Sequence, residues 1–343
     1  MRRYFFWPVI VTLVGLGAIF AIGWHSSRSL SGASSFFLIG TVLAILEISL
    51  SFDNAIVNAN KLQYMTPVWQ KRFLTWGILI AVFGMRVIFP VAIVAIAAKV
   101  APLAALKLAL FNPDEYARII EASHLSIAAF GGTFLMMVAL TYFVDEEKDV
   151  DWFVMLERRL RQWASLRGLE IAFVLIVIIA FAWPLSPAML GTFLLSSLLG
   201  LVTFLMVELV GNLLDSAEEA RDIARAGGFG AFMYLEVLDA SFSFDGVIGA
   251  FAFTKNLFLI AIGLGIGAMF VRSMTIMLVE KKTLTQFRYL EHGAFYSIFL
   301  LSVIMFAQAH MHIPEVITGL IGVALIGLAF FASLRYNKRY AED

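Results

Sequence analysis

The stretch that decides the fold is Leu46-Glu47-Ile48-Ser49-Leu50-Ser51-Phe52-Asp53, which returns later in the chain as Leu238-Asp239-Ala240-Ser241-Phe242-Ser243-Phe244-Asp245. Both copies read Leu, acid, any residue, Ser, large apolar residue, Ser, Phe, Asp. Each copy lies inside an apolar segment long enough to cross a bilayer as a helix, where carboxylates are costly. We therefore predict that the two copies build one polar site from two related halves of the chain.

The composition is typical of a membrane protein. Of the 343 residues, 61% are hydrophobic and 15% are charged, whereas soluble domains are about half apolar and about a quarter charged. There is no cysteine, which excludes disulfides, thiolate metal sites and cysteine catalysis. The formal net charge is zero, so bulk charge gives no reason to expect a nucleic-acid partner. We expect an all-α polytopic membrane protein that is not an enzyme and has membrane lipids as partners; a homo-oligomer is an open alternative.

Ten apolar segments are candidates for membrane-spanning helices, and together they form a single transmembrane domain over residues 1–343. Most lysines and arginines fall in alternate loops, which the positive-inside rule places in the cytoplasm together with both termini. We therefore expect a multi-pass protein of the cell (inner) membrane. The fifth segment is short, and whether it crosses fully is left open. The segments are residues 5–24, 36–58, 73–98, 124–144, 169–185, 188–213, 230–254, 257–279, 293–309 and 315–333.

The similarity between the two halves extends beyond the motif. Arg86 follows Gly77 by nine residues, and Arg272 follows Gly263 by the same interval. Spans 2–4 therefore form a first repeat, residues 36–144, and spans 7–9 form a second, residues 230–309. Because the repeats are offset by five spans, they enter the membrane from opposite sides, as in the inverted repeats of many secondary transporters.

The acids of each motif do not share one face of a regular helix. Glu47 and Asp53 are six positions apart, which places them about 120° apart around the axis. If all the acids converge, each motif helix must unwind locally, and the motif serines can bind the freed backbone groups. We predict broken motif helices. The alternative is unbroken helices whose acids pair separately with arginines or serines.

The intramembrane charges indicate cation chemistry. If every acid in the predicted spans ionised, four negative charges would remain uncompensated by arginine, which an apolar interior does not tolerate. Protonation, a bound cation, or alternation between them would neutralise the site. The ligands on offer are oxygens, which suit Mg²⁺, Ca²⁺ or Mn²⁺ rather than Cu⁺ or Zn²⁺. The candidate residues are the acids Glu47, Asp53, Glu208, Glu236, Asp239 and Asp245, the polar residues Asn54, Ser51 and Ser243, and the arginines Arg86 and Arg272.

Three of these residues have an open alternative role. Glu208 is interpreted either as an ion-pathway residue or as a packing hydrogen bond. Arg86 and Arg272 are interpreted as charge-balancing residues, with direct binding of an anionic solute as the alternative. The longest predicted cytoplasmic loop, residues 145–168, begins acidic and continues as a basic amphipathic stretch. That pattern is typical of a helix lying at the lipid headgroups, and a regulatory or ion-sensing role is the alternative.

The motifs resemble those of the TerC integral membrane family. Glu47-x-x-Leu50-Ser51-Phe52-Asp53-Asn54 resembles its first signature, and Glu236-x-x-Asp239 followed by Phe244-Asp245 resembles its second. The resemblance covers about residues 36–310 and includes an arginine in the helix after each motif. The chain departs from the family after the last aspartate, where Gly246-Val247-Ile248-Gly249 replaces the usual Ser and nearby Pro, and it has additional helices.

Members of the TerC family are linked to tellurium resistance and to Mn²⁺ efflux. The resemblance therefore implies export of a divalent metal ion, with Mn²⁺ expected ahead of Ca²⁺ or Mg²⁺, and no organic cofactor. It implies that the metal ligands are Glu47, Asp53, Asn54, Glu236, Asp239 and Asp245.

We interpret the sequence as a divalent-metal exporter driven by inward proton movement. The alternatives are a membrane scaffold or sensor for metal or tellurium stress, an exporter of a small organic or acidic solute, and an intramembrane aspartyl protease. The protease is disfavoured because the second aspartate follows Ser243-Phe244 and lacks the expected Gly-x-Gly.

Overall fold

The computed structural model describes residues 2–145, 148, 150–164, 168–221, 228–311 and 313–340, and every regular element in them is a helix. The helices are α1 (Arg2–Ser27), α2 (Leu30–Leu50), α3 (Phe52–Leu62), α4 (Pro67–Leu79), a π-helical segment (Ile80–Ile88), α5 (Phe89–Ala97), α6 (Pro102–Phe111), α7 (Pro113–Ala122), α8 (His124–Val144), α9 (Val154–Ala164), α10 (Leu169–Ala182), α11 (Pro187–Arg221), α12 (Phe229–Phe253), α13 (Leu257–Glu280), α14 (Thr283–Gln286), α15 (Leu290–Ala307) and α16 (Glu315–Tyr340).

The protein is an all-α polytopic membrane protein. Within the described residues, seven helices are long and apolar enough to cross a membrane: α1, α2, α8, α11, α13, α15 and α16. A further pair, Phe83–Ala97 and Pro102–Phe111, is bent by 107° and counts as one more span if its two parts act together.

The count of ten spans stays a prediction, although helices occupy all ten predicted segments. Three segments differ from a simple apolar span, each for its own reason. The third is interrupted by the π-helical segment, and the fifth forms only the short α10. The seventh forms α12, which is long enough to cross but carries three acids, Glu236, Asp239 and Asp245.

The first motif helix is broken, as predicted. α2 ends at Leu50 and α3 begins at Phe52, and Ser51 between them has φ −103° and ψ 16°. The Ser51 N–H still donates to the Glu47 carbonyl at 3.0 Å, and the Ser51 carbonyl accepts from Ala55 at 3.1 Å. The helix is therefore interrupted at the motif while these backbone groups stay satisfied, as an apolar surrounding requires.

The second motif helix is not broken, so the prediction of a break there was wrong. α12 runs from Phe229 to Phe253 without interruption. Glu236 and Asp239 are three residues apart and share a helix face without any unwinding. The motif hydroxyl of Ser241 donates to the Val237 carbonyl within the same helix and leaves the backbone ladder intact.

The π-helical segment carries Arg86. The N–H of Phe89 donates to the carbonyl of Gly84, five residues earlier, which is the π-helical pattern. Pro90 follows, and in a regular α-helix its ring would clash with the carbonyl of residue 86 and remove a hydrogen bond. The wider turn avoids that clash.

The two halves pack across each other. α13, which follows the second motif, packs against α2, α3 and the π-helical segment, and α12 packs against the π-helical segment and α3. α15 packs against α3 and α8, while α16 covers α15 and α2. The motif helices and the helices that follow them therefore meet at one central point.

The 145–168 loop forms the amphipathic helix that the sequence predicts, although residues 146, 147, 149 and 165–167 lie outside the described part. Residues 153–156 at the start of α9 are exposed and apolar. Glu157 is fully buried and accepts hydrogen bonds from Lys148 Nζ at 2.6 Å and the Tyr296 hydroxyl at 2.9 Å. The helix therefore docks on α15 through a buried carboxylate and leaves an apolar surface free.

Candidate functional site

Two small cavities lie side by side at the central meeting point. Each has a volume of about 20 Å³, which is room for about one water molecule or one ion. Glu47 and Ser51, at the break between α2 and α3, line both cavities. The broken helix thus forms the wall between two compartments, which we call the first cavity and the second cavity.

The first cavity is bounded by the break, α12, α15 and α16. Its polar side chains are Glu47, Ser49, Ser51, Asp53, Ser297 and Thr318. Asp53 is buried, and its Oδ1 accepts from the N–H of Asn54 at 2.8 Å, while its Oδ2 accepts from the Ser297 hydroxyl at 2.8 Å. Ser297 therefore links α15 to the first motif.

The second cavity is lined by Glu47, Ser51, Asn54, Asn58, Arg86, Asp239, Ser243, Ala268, Val271, Arg272 and Thr275. Asp239 Oδ1 accepts two hydrogen bonds, from Asn54 Nδ2 at 2.7 Å and from Asn58 Nδ2 at 2.8 Å. The two amides lie one turn apart on α3, so this helix presents a pair of donors to the carboxylate of the other motif.

Each arginine pairs with the acid at the second position of its own motif. Arg86 donates to Glu47 Oε1, and a guanidinium nitrogen of Arg272 lies 3.6 Å from Asp239 Oδ2. Arg272 also lies over the ring of Phe73, 3.9 Å from its centroid. All four charged side chains are buried, so each charge depends on its partner for stabilisation.

Glu236 lies outside the lining of both cavities. It is buried, and neither carboxylate oxygen has a hydrogen-bond partner. Glu236 and Arg272 both lie against Gly77, where a Cβ atom would be 2.7 Å from Glu236 Oε1 and 2.6 Å from an Arg272 nitrogen. Glu236, which the sequence predicts as a metal ligand, is thus a neighbour of Arg272 and lies outside both cavities.

Most of the other predicted site residues meet at these cavities. The structure brings together Glu47, Ser51, Asp53, Asn54, Arg86, Asp239, Ser243 and Arg272. It does not bring in Glu208, which is exposed on α11 and lines neither cavity, and the role of Glu208 as a pathway residue stays a prediction. The side chain of Asp245 lies outside the described residues, although its backbone is part of α12.

Four polar residues of the site were missed by sequence reasoning: Asn58, Thr275, Ser297 and Thr318. Asn58 had a signal, because it follows Asn54 by one helical turn and shares its face. Ser297 and Thr318 had none, because each is a single hydroxyl in an ordinary apolar helix. Only the packing of α15 and α16 on the broken helix brings Ser297 to Asp53 and Thr318 into the lining of the first cavity.

No three His, Cys, Asp or Glu side chains within the described part of the chain are close enough together to hold a metal ion. A cation in either cavity would therefore combine one or two carboxylates with hydroxyl, amide or backbone oxygens. Such ligand sets suit hard divalent ions, which also retain bound water.

A third and much larger cavity, of about 900 Å³, opens beyond the end of α3, and we call it the vestibule. Lys61 lines it and lies three residues after Asn58, about 4.5 Å along the helix axis. The charged side chains that line it are Lys61, Asp145, Lys148, Arg288 and Glu291. These segments belong to the loops that the sequence places in the cytoplasm, so the vestibule lies on that predicted side of the protein.

Glu157 fixes one edge of the vestibule. Burial acts to raise the pKa of Glu157, but hydrogen bonds from His292 and Lys148 outweigh it and hold the pKa well below the usual 4.5. His292, which contacts Val150 through Nε2 at 2.8 Å, and Lys148 both line the vestibule. The charged form of Glu157 therefore holds the start of the loop beside the opening.

Comparison with known proteins identifies a family and gives no function. A search of curated proteins and a search of solved structures found no match. The model of one protein family, DUF475, described as a protein of unknown function, matches residues 52–340. That match takes in Asp53, the π-helical segment, the second motif and α16, and it covers most of the chain. The chain therefore belongs to the DUF475 family.

Proposed function

We propose that this protein transports a divalent metal ion across the membrane through the buried carboxylates at the centre of the fold. The observation that carries the proposal is the charge of the described cluster. Four buried carboxylates, Glu47, Asp53, Glu236 and Asp239, accompany two guanidiniums. Full ionisation leaves two negative charges, which an apolar interior does not hold without a compensating cation or protons.

The cavities support an ion rather than an organic solute. A volume of about 20 Å³ in each cavity accommodates about one water-sized particle. Arg272 lines the second cavity and offers a positive charge to an acidic solute, but the space beside it is too small for one. The oxygen ligands favour Mn²⁺, Ca²⁺ or Mg²⁺, and the resemblance of the motifs to the TerC family favours Mn²⁺.

The proposed direction is export from the cytoplasm, driven by inward proton movement. The vestibule lies beside the loops richest in lysine and arginine, which are expected on the cytoplasmic side with both termini. Alternation between a bound divalent ion and protonated carboxylates keeps the cluster near neutrality in each step. The proposed location is the cell (inner) membrane.

The test is Mn²⁺ flux into proteoliposomes that contain the purified protein and a trapped Mn²⁺-sensitive dye. We expect flux by the unmodified protein and its loss in Asp53→Asn and Asp239→Asn, because each variant removes one of the buried charges. Asp114→Asn is the matched control, because Asp114 is an exposed acid that pairs with Lys255 at the surface. Equal flux by Asp53→Asn and Asp114→Asn would contradict the proposal.

A further inference from the structure

We propose that the metal ion binds in the first cavity, where Ser297 of α15 and Thr318 of α16 complete a ligand set begun by Asp53 and Glu47. The second cavity is then a charge-balanced structural compartment. This assignment rests on the proposed function, because it locates the ion within the same cluster.

The two cavities differ in charge. The described lining of the first contains the carboxylates of Glu47 and Asp53 and no basic side chain. Because Glu47 already pairs with Arg86, Asp53 is the carboxylate there that has no ion pair among the described residues. The second has two carboxylates, but Arg86 and Arg272 also line it and cancel that charge. A cation is attracted to the first cavity and meets two guanidiniums in the second. The first cavity is therefore the better site for a cation, although the two motifs look alike in sequence.

Thr318 supplies an independent sign of a ligand. Its side chain is 7% exposed, lines the first cavity, and has no hydrogen-bond partner for Oγ1. A buried hydroxyl without a hydrogen-bond partner is energetically unfavourable. A bound cation, with any water it retains, would give this oxygen a partner.

Two glycines keep the first cavity open. A Cβ atom on Gly322 would lie 2.8 Å from Ser297 Oγ and 3.7 Å from Asp53 Oδ2. A Cβ atom on Gly246 would lie 3.1 Å from Glu47 Oε2. Glu47 thus directs Oε1 to Arg86 and Oε2 towards the first cavity. The space beside these oxygens exists only because both positions lack a side chain.

Helix α16 lies outside both sequence repeats, yet it lines the first cavity. α16 brings Thr318 and Gly322, which are one turn apart, into the lining of the first cavity, with Gly322 beside the carboxylate of Asp53. The two motifs then have different roles: the first supplies the ligands, while Asp239 of the second balances Arg272 and fixes Asn54 and Asn58.

The experiment is calorimetric titration of the purified full-length protein with Mn²⁺. Thr318→Val removes one hydroxyl from the first cavity at nearly constant shape, and Thr275→Val does the same in the second. Gly322→Ala fills the first cavity, and Gly327→Ala on the same helix is its control, because a Cβ there meets nothing within 4 Å. We expect Thr318→Val and Gly322→Ala to weaken Mn²⁺ binding about 10- to 100-fold, with both controls unchanged.

The outcomes are distinguishable. Equal Mn²⁺ affinity in the unmodified protein, Thr318→Val and Gly322→Ala would overturn the assignment and leave the proposed function standing. Weakening by Thr275→Val alone would move the ion to the second cavity and would also overturn it. Absence of Mn²⁺, Ca²⁺ and Mg²⁺ binding to the unmodified protein would overturn the proposed function and this inference together. Thermal unfolding of each variant without metal identifies any loss of binding that comes from misfolding.

Discussion

Arg272 lies 3.6 Å from Asp239 and so repeats, in the second half of the chain, the ion pair that Arg86 makes with Glu47 in the first. The two acids occupy the same position of the repeated motif, and each arginine follows a glycine by nine residues. Positions that match in the sequence therefore have matching partners in the structure. The inverted orientation of the two halves stays a prediction.

Removal of one arginine should destabilise the protein more than removal of a whole pair. We expect Arg86→Gln to lower the free energy of unfolding by about 3–5 kcal/mol, because Glu47 would be left as a buried charge without its guanidinium. Adding Glu47→Gln should restore part of that loss, since no charge then remains to be compensated. Thermal unfolding in detergent measures both. Equal destabilisation by the single and the double variant would show that the pair has no such coupling.

The loss of the Asn58 side chain should affect Asp239. Asn58→Ala removes one of the two amide donors to Asp239 Oδ1, and we expect a loss of about 1–3 kcal/mol in stability. Asn60→Ala is the control, because Asn60 is on the same helix but lines the vestibule. Thermal unfolding of the two variants gives the comparison. A loss in Asn60→Ala as large as in Asn58→Ala would show that the hydrogen bond to Asp239 contributes nothing specific.

The 145–168 loop should stay bound to α15 in mildly acidic solution. The pKa of Glu157 is lowered in the folded protein, so its stabilising contribution is complete above the unfolded value of 4.5 and disappears as the pH falls from there towards the folded value. Limited proteolysis of the loop should therefore proceed at the same rate at neutral pH and at about pH 5.5. A marked acceleration at the lower pH would contradict the assignment of Glu157 as the residue that holds the loop.

Glu157→Gln tests the same contact at neutral pH. It removes the negative charge of the carboxylate that accepts hydrogen bonds from Lys148 and Tyr296, so the protease should cleave the loop faster than in the unmodified protein. Glu115→Gln is the matched control, because Glu115 pairs with Arg118 on the exposed surface and contributes little. Equal cleavage of both variants would show that burial of Glu157 does not hold the loop.

The fold class and much of the site could be predicted from local sequence. Apolar segment length predicts the helices, and the six-residue spacing of Glu47 and Asp53 predicts the break at Ser51. The same six-residue spacing of Asp239 and Asp245 led to a wrong prediction of a break in α12. No break is needed there, because an unbroken α12 already places Glu236 and Asp239 on one face. The position of Glu208 away from both cavities could not be predicted, because an acid in an apolar segment does not reveal which way its side chain points. Ser297 and Thr318 could not be predicted, since tertiary packing alone brings them into the lining of the first cavity.

The most direct test of the central claim is the thermal stability of the purified protein with increasing Mn²⁺, compared between the unmodified chain and Asp53→Asn. A ligand that binds only the folded state stabilises it by RT ln(1 + [L]/Kd). We predict that Mn²⁺ raises the unfolding temperature of the unmodified protein and leaves that of the folded Asp53→Asn variant unchanged. The same shift in both proteins, or no shift in either with Mn²⁺, Ca²⁺ or Mg²⁺, would contradict a divalent-metal site at Asp53.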